Sequence, residues 1–486
     1  MAMPVSTARP RALMTVLVLA GITASLTQTL VVPLLGQLPQ ILHTSTSNAT
    51  WVVTVTLLVS AVTNPVAGRL GDLYGKRRIL LISVALLIAG AVVCALASSL
   101  VPMIIGRSLQ GMGSGIVALG ISALRDLLPP ERVGSAIALI SSSLGVGAAL
   151  GLPIAATVME NSNWRVLFWG LAGLAALIGI LIVFMVPATD TGDPEGRFDP
   201  LGAVGLGIGL VTLLLAVSKG AAWGWTSGSI LTLIVVGLGS LVLWGWWELR
   251  SRYPLVDLRT TARPQVLLTN AASFVVAMGM YAQALLIPQL LQLPLDTGYG
   301  LGQSMMTMGL WMAPNGLTMV LMSPVSARLS AARGPKTTLL VGCLIIATGY
   351  AASTVMLAHT WTLLIVTMII YTGVAFSYGA MPALIMAAVP HSETAAANGF
   401  NTLMRAAGTS VSAAVVGAVL SQMTRNYHGH SIPTSAGFHT GLLIGCGVAI
   451  MAAVITATIP IRSRLADAEP EPEPVVPAPA ALRVDG

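Results

Sequence analysis

The amino-acid sequence predicts an all-α membrane protein whose chain crosses the bilayer fourteen times. Of its 486 residues, 55% are hydrophobic and only 8% are charged, whereas about 25% of the residues in a soluble domain are charged. The mean hydropathy is +0.85, and apolar runs long enough to span hydrocarbon recur from residue 12 to residue 460. Backbone amides in hydrocarbon find no water to bond, so each run must be helical.

The hydropathy pattern gives the approximate limits of each span. The spans are expected at 12–36, 50–69, 79–98, 101–124, 134–157, 165–187, 201–218, 229–247, 265–290, 304–327, 337–357, 361–388, 396–421 and 438–460. An even number of spans places both termini on one side of the membrane. Arg165, Lys219 and Arg425 fall in loops on the opposite side, and Arg107 and Arg405 lie inside spans. All other Lys and Arg residues lie on the side of the termini, which are therefore predicted to be cytoplasmic.

Composition also excludes several function classes. The net charge of +7 is spread over short loops rather than gathered on one face among aromatic side chains, so nucleic-acid binding is not expected. Cys94, Cys343 and Cys446 each lie inside an apolar run without a nearby cysteine or histidine at ligand spacing, which argues against a disulfide or a metal site. No cofactor is expected.

The chain divides into five predicted segments. Two six-helix bundles are expected at 12–187 and 265–460, with two additional spans at 201–247, a charged cytoplasmic connector at 248–264 and a disordered tail at 466–486. Basic turns at 68–78 and 327–336 occupy the same place in each bundle, as in transporters built from parallel repeats. Within the connector, Pro254, Leu255, Val256 and Leu258 could lie on lipid headgroups, or the segment could be a plain linker.

The turn after the second span is the most specific motif in the chain. It reads Gly68-Arg-Leu-Gly-Asp-Leu-Tyr-Gly-Lys-Arg-Arg78 and resembles a loop typical of the major facilitator superfamily. The matching residues are Gly68, Leu70, Asp72, Gly75, Lys76 and Arg77. Glycines allow close helix approach, and a carboxylate at a helix end holds basic side chains or a helix N-terminus. We expect a cytoplasmic gate here, although the three cations alone could simply reflect membrane topology.

The fourth span and the loop after it carry a second group of matches. Arg107, Gln110 and Gly111 resemble the family's R-x-x-Q-G motif, and an Arg inside a span marks function by default because it is costly. The alternative is that Arg107 reaches the outer surface along its flexible stem. Asp126, after this span, is expected to pair with the basic turn that follows Asp72. Arg405 lies too deep in span 13 to reach the surface and is expected to contact an anion or form a gate pair.

The fifth span resembles the antiporter motif of drug exporters, but imperfectly. Gly147 and Gly151 form a small-xxx-small face for close packing, and Pro153 follows two residues later. The family motif has a Gly-Pro step, whereas here Ala148 follows Gly147. The direction of transport is correspondingly less well determined by this motif.

Together these matches resemble the fourteen-helix drug/proton antiporters of the major facilitator superfamily. The resemblance implies a major facilitator fold of two six-helix bundles plus two extra helices, and a secondary transporter that exports amphipathic hydrophobic compounds by alternating access. It also implies proton coupling. That family commonly has an L-D-x-T sequence in span 1, but this chain reads Leu26-Thr-Gln-Thr29, and no acid is expected at mid-membrane. The proton could use Asp72 and Asp126, or the external Glu160.

The predicted substrate cavity is neutral and amphipathic. Its candidates are polar or aromatic residues within spans: Gln28, Asn64, Tyr281, Gln283, Gln289, Trp311, Asn315, Asn398 and Asn401. The 22 methionines offer adaptable apolar surface, while hydrogen bonding between helices is the plain alternative for each amide. Other possibilities are a lipid or small-molecule carrier without proton antiport, or a membrane-integral enzyme, for which no His/Asp pair is suitably spaced. We expect a monomer in the inner (plasma) membrane of a bacterium.

Overall fold

The computed structural model describes residues 8–187, 196–357, 359–427 and 430–460. The predicted tail at 466–486 lies outside the described residues. The described chain is almost entirely helical, with one short antiparallel hairpin, β1 (Thr424–Tyr427) and β2 (His430–Pro433).

Fourteen long helical segments follow one another in the described residues, and the tenth of them consists of two pieces. They are α1 (Ala8–Thr29), α2 (Trp51–Tyr74), α3 (Lys76–Leu96), α4 (Leu100–Leu127), α5 (Pro130–Asn161), α6 (Arg165–Met185), α7 (Pro200–Trp223), α8 (Gly228–Glu248), α9 (Pro264–Gln292), α10 (Met305–Met312 and Pro314–Arg333), α11 (Pro335–Ser353), α12 (Thr360–Ala388), α13 (Thr394–Gln422) and α14 (Ser435–Thr458). Short helices at Leu38–Ile41, Thr46–Ala49 and Leu258–Thr261 lie between them.

Within the described residues, thirteen helices are long and apolar enough to cross a membrane, and α10 is the predicted span that does not qualify. The helix is interrupted at Ala313, and Pro314 begins the second piece. A proline has no backbone N–H to donate and its ring clashes with the preceding turn, so it favours the start of a helix. The segment predicted as one span at 304–327 is therefore two consecutive helices.

The helices pack as two groups with two helices beside them. In the first group, α1 packs on α5, and α3 packs on α4 and α6; in the second, α9 packs on α13 and α14, and α11 packs on α12 and α14. The groups meet where α2 packs on α13 and where α5 packs on α10. Each group has its own buried apolar core. We call the first group, α1–α6, the first half, and the second group, α9–α14, the second half.

The pair α7 and α8 lies against the seam between the halves, because α7 contacts both α2 and α13. Lys219, expected in a loop, instead lies in α7, where its Nζ donates to Thr50 Oγ1 at 2.7 Å and lies 4.9 Å from the ring centre of Trp51. This contact explains how a cation is tolerated in a membrane helix, since its charge meets a hydroxyl and an aromatic face.

Of the four connector residues that one sequence-based alternative placed on lipid headgroups, Leu255 and Val256 are buried within the bundle, whereas Pro254 and Leu258 are half-buried. Leu255 and Val256 are buried in a cluster with residues of α2, α7 and α13. The Glu248 carboxylate accepts hydrogen bonds from the backbone N–H groups of both residues, at 3.2 and 3.3 Å. The connector is thereby held against the end of the bundle that carries the basic turns at Gly75 and Gly334. We call this end the basic end.

Candidate functional site: the seam at the basic end

The two halves touch closely where α2 meets α13. A methyl group on Gly68 would overlap the carbonyl oxygen of Ala395, and one on Gly399 would lie 2.5 Å from the carbonyl oxygen of Asn64. No larger residue fits at either position without separating the helices. The glycine that begins the sequence motif is therefore a contact point between the halves.

Asp72 joins the halves through its carboxylate. Its side chain is only 3% exposed. Its Oδ1 accepts from the Ala395 N–H at 3.2 Å and its Oδ2 from the Ala396 N–H at 2.9 Å. These N–H groups belong to the first turn of α13, whose own N-cap residue, Glu393, gives no side-chain cap. A residue of α2 thus caps a helix of the other half, where a negative charge also complements the helix dipole.

The rest of the motif organises the first half around Asp72. Lys76 Nζ lies 4.0 Å from Asp72 Oδ1 and donates to Asp126 Oδ2 at 2.5 Å, so the three predicted residues form one cluster. Gly75 makes the turn with φ of +90°, a conformation that favours glycine. Arg77 Nη2 donates to the Val183 carbonyl at 2.6 Å, and Leu70 packs on the first-half core.

A second contact across the seam was not singled out from the sequence. Arg125 Nη1 donates to Thr394 Oγ1 at 2.8 Å, next to the helix start that Asp72 caps. The sequence does contain a feature that could have indicated Arg125, because this residue directly precedes Asp126 in the loop that resembles the family pattern. Its partner, however, is 269 residues away in the chain.

Arg107 does not reach the outer surface, since it is 1% exposed. Its Nη1 donates to the Thr27 carbonyl at 2.7 Å and to Gln110 Oε1 at 2.6 Å, and its Nε donates to the Val52 carbonyl at 3.0 Å. The guanidinium therefore joins α1, α2 and α4. The Thr27 carbonyl lies in the last turn of α1, where a cation is favourable.

Three glycines allow helices to pack closely beside the Arg107 guanidinium and along α5. A methyl group on Gly111 would lie 2.8 Å from the carbonyl oxygen of Thr56, and one on Gly147 would lie 2.5 Å from that of Ile22. A methyl group on Gly151 would overlap the Thr29 side chain. The nitrogen of Pro153 would lie 3.5 Å from a methyl group on Gly309, so α5 also faces α10 here.

The nine predicted cavity residues lie in different environments. Gln28 and Gln289 are exposed and Tyr281 and Trp311 are half-buried, whereas the remaining five are buried: Asn64, Gln283, Asn315, Asn398 and Asn401. Several buried amides bond to neighbouring groups, as Asn64 Oδ1 does with Ser114 Oγ at 3.2 Å and Asn398 Nδ2 with the Thr394 carbonyl at 2.9 Å. A shared cavity for all nine stays a prediction.

Three of these residues have polar atoms without a hydrogen-bond partner in the described part of the chain. Both polar atoms of Gln283, which is completely buried, lack a hydrogen bond, and so do Asn315 Oδ1 and Asn398 Oδ1. An unpaired buried amide is costly unless a ligand or water meets it. These side chains are therefore the strongest of the nine as ligand contacts.

Arg405 sits in a neutral cluster of the second half. Its guanidinium carbon lies 4.9 Å from the Tyr378 ring centre, and its Nη2 donates to Thr402 Oγ1 at 3.1 Å. Next to it, Asn401 Nδ2 donates to Asn270 Oδ1 at 2.9 Å and to Ser273 Oγ at 2.8 Å. Asn270 and Ser273 were not singled out from the sequence, because nothing in their local pattern distinguishes them from other small polar residues in spans.

The sequence model of the Major Facilitator Superfamily matches residues 17–413 and, in a second alignment, 269–485. The chain belongs to the major facilitator superfamily. It is accordingly a multi-pass membrane transporter and not an enzyme, and the two groups of six helices are those of the superfamily's fold.

Individual relatives agree with this assignment. The MFS-type transporter YhcA of Bacillus subtilis (strain 168) is 26% identical over 81% of this chain and 73% of its own length. The lincomycin resistance protein LmrB of Listeria monocytogenes is 26% identical over 74% of this chain and 78% of its own. Among solved structures, the human organic anion transporter MFSD10 superposes with a TM-score of 0.66 at 15% identity, covering 92% of this chain and 99% of its own.

Proposed function

We propose that this major facilitator transporter exports amphipathic hydrophobic compounds in the manner of multidrug efflux proteins, by alternating access. The observation that carries the proposal is the seal at the basic end, where Asp72 caps α13 across the seam. The Asp72 carboxylate accepts two hydrogen bonds from backbone N–H groups of α13, Arg125 donates one to Thr394, and close glycine contacts join α2 to α13 there. All of these contacts are non-covalent. A seal of this kind can break and re-form as the halves rock against each other.

The proposed direction and location follow from charge and from relatives. The basic turns make the basic end the cytoplasmic end, with both termini on that side of a bacterial inner membrane. A relative named for lincomycin resistance supports export of drug-like compounds. The neutral amides of Gln283 and Asn315, together with the half-buried Tyr281 and Trp311, suit neutral or cationic amphipathic substrates. We propose that the transporter works as a monomer.

Proton coupling is the less supported part of the proposal. Asp72 lies in the last turn of α2 rather than at its middle, and neither Arg107 nor Arg405 forms an ion pair with a carboxylate of the described residues. A protonated Asp72 would lose its charge–dipole attraction to α13 and release the seam. The second candidate, a carrier of the same fold without proton antiport, is favoured by this shortage of carboxylates within the helices.

The test is efflux of several cationic and neutral dyes from proteoliposomes, with and without a pH gradient. We expect dye efflux from proteoliposomes that exceeds efflux from liposomes without the protein and that is faster with the pH gradient. Dye retention that is unchanged by the protein would contradict export. A transport rate that is the same with and without the pH gradient would contradict only the antiport part of the proposal. Gln283→Leu should slow efflux of some dyes more than others, whereas Thr348→Val, at an exposed position of α11, should not.

A further inference from the structure

One face of α8 is covered by no other part of the described chain. Only 17% of the most apolar stretch of α8 is buried, the lowest share among the thirteen spanning helices of the described residues. Its exposed apolar side chains recur at intervals of three or four residues, which places them on one face of the helix. They are Leu231, Val235, Leu238, Val242, Trp246 and Leu249. In a spanning helix, an uncovered apolar face of this kind meets lipid acyl chains.

Two exposed arginines lie where this face ends, at the basic end. Arg250 lies two residues beyond the end of α8, and its guanidinium carbon is 4.0 Å from the ring centre of Trp246. Arg259 lies in the short connector helix Leu258–Thr261, and its Nη2 donates to the Leu249 carbonyl at 3.1 Å. Tryptophan side chains are typical of the headgroup layer of a bilayer. The contacts with Trp246 and Leu249 therefore place both guanidinium groups at the level of lipid headgroups.

The carboxylates near these arginines are engaged by other groups. Glu248 is 2% exposed, and its carboxylate accepts hydrogen bonds from the connector backbone. Asp199 is 8% exposed, and its Oδ2 accepts from Trp247 Nε1 at 2.7 Å. Asp257 Oδ1 accepts from the backbone N–H of Arg259 at 2.8 Å and caps the short helix. Neither guanidinium forms an ion pair with a carboxylate of the described residues, so the surface at this end of α8 is cationic.

We propose that this end of α8 binds an anionic phospholipid. Its phosphate accepts from the exposed guanidinium groups of Arg250 and Arg259, and an acyl chain lies along the uncovered face of α8. A lipid with a net negative charge complements the two cations, whereas the ammonium group of a zwitterionic lipid offsets its phosphate. A phosphate shared by both arginines ties the short connector helix to the end of α8. Because Leu255 and Val256 of the connector pack against α2, α7 and α13, the bound lipid also stabilises the position of α7 and α8 at the seam.

Lipid binding to the purified, delipidated full chain tests the site. Native mass spectrometry measures it in titrations with phosphatidylglycerol and with phosphatidylcholine. We expect the first phosphatidylglycerol to bind about 5-fold or more tightly than the first phosphatidylcholine. Arg250→Gln and Arg259→Gln should each weaken phosphatidylglycerol binding about 5-fold, the effect of one cation near an anionic lipid surface, and the double variant about 25-fold. Arg132→Gln, at an exposed arginine near the start of α5 at the same end, is the matched control and should bind normally.

Equal binding of the two lipids would overturn the proposal, because it would mean that the net charge of the headgroup has no effect. An equal loss in Arg132→Gln and Arg250→Gln would also overturn it, because any surface cation would then serve. Glycerol 3-phosphate carries the phosphate without an acyl chain and should not displace the lipid at a comparable concentration. Displacement at such a concentration would show a site for free phosphate and not for a lipid.

Fluorescence quenching in phosphatidylcholine nanodiscs tests the position of the acyl chain. A small fraction of the lipid carries bromine near the top of its chain, and the contribution of Trp246 is the difference between the parent and Trp246→Phe. Brominated phosphatidylglycerol should quench this contribution more than brominated phosphatidylcholine, and the double arginine variant should remove the difference. Trp361, which is also 57% exposed but lies at the other end of the bundle, should show no such preference. Equal quenching of Trp246 by the two lipids, or the same preference at Trp361, would contradict the proposed site. None of these measurements involves transport, so their outcome is independent of the export proposal.

Discussion

Replacing Asp72 by Asn should open the seam at the basic end. The amide keeps one acceptor oxygen for the two N–H groups of Ala395 and Ala396, and the negative charge at the start of α13 disappears. Losing one charge-assisted hydrogen bond and one charge–dipole contact costs about 2–4 kcal/mol. The ratio of closed to open molecules should therefore fall about 30- to 1000-fold.

The matched control is Asp126→Asn. Asp126 contacts Lys76 within the first half, so its loss removes a comparable charge near the seam without removing a contact across it. If the cap on α13 is what holds the halves, Asp126→Asn should leave the ratio of closed to open molecules nearly unchanged.

Spin labels on the exposed residues Arg78 and Arg333 report the opening. Each replaces a residue beside one of the two basic turns, in a background where the three cysteines are changed to alanine. Pulsed electron–electron distance measurements should give one short distance for the parent and a major longer distance for Asp72→Asn. An unchanged distance distribution in Asp72→Asn, or an equal change in Asp126→Asn, would refute the capping argument.

Three further predictions concern stability, measured as the thermal unfolding midpoint, Tm, in detergent. Arg107→Lys should lower Tm, because one ammonium cannot serve carbonyls of both α1 and α2 and each unsatisfied carbonyl costs about 1–3 kcal/mol; Arg132→Lys, at an exposed site, should leave Tm unchanged. Gly151→Val should lower Tm through overlap with α1, unlike Gly170→Val, where the surroundings are open. Because burial raises the pKa of Glu393 above 4.5, its contribution to stability should fall as pH rises from 4.5 through that pKa, and Glu393→Gln should flatten this part of the Tm profile. Equal Tm values in either matched pair, or parallel pH profiles for Glu393→Gln and the parent, would contradict these predictions.

The positions of the helices can be predicted closely from the sequence, because in lipid the secondary structure of a segment depends on that segment's own composition. A run of apolar residues must be helical wherever hydrocarbon surrounds it, whatever its partners are. The exception is α10, where Pro314 interrupts the helix and the hydropathy pattern does not reveal the break. The connector shows a related limit, since the exposure of Leu255 and Val256 depends on what packs over them and not on their own hydropathy.

Some features of the candidate site can be predicted from the sequence and others cannot. The glycine spacing and the carboxylate of Asp72 are visible in the sequence, which also predicts that Asp126 contacts a nearby basic turn. The atoms that Asp72 bonds are 323 and 324 residues away. They are backbone N–H groups of two alanines, and any helix start offers similar groups, so residue type alone could not select them.

The sequence by itself determined that this is a helical transporter of the bilayer, where its turns fall and which residues are costly to bury. Only the tertiary structure decided which helix Asp72 caps, which carbonyls Arg107 joins and which amides remain unpaired. The physical reason is range: partitioning into lipid is set by each segment's own composition, whereas a hydrogen bond requires two groups from distant segments to arrive within about 3 Å of each other.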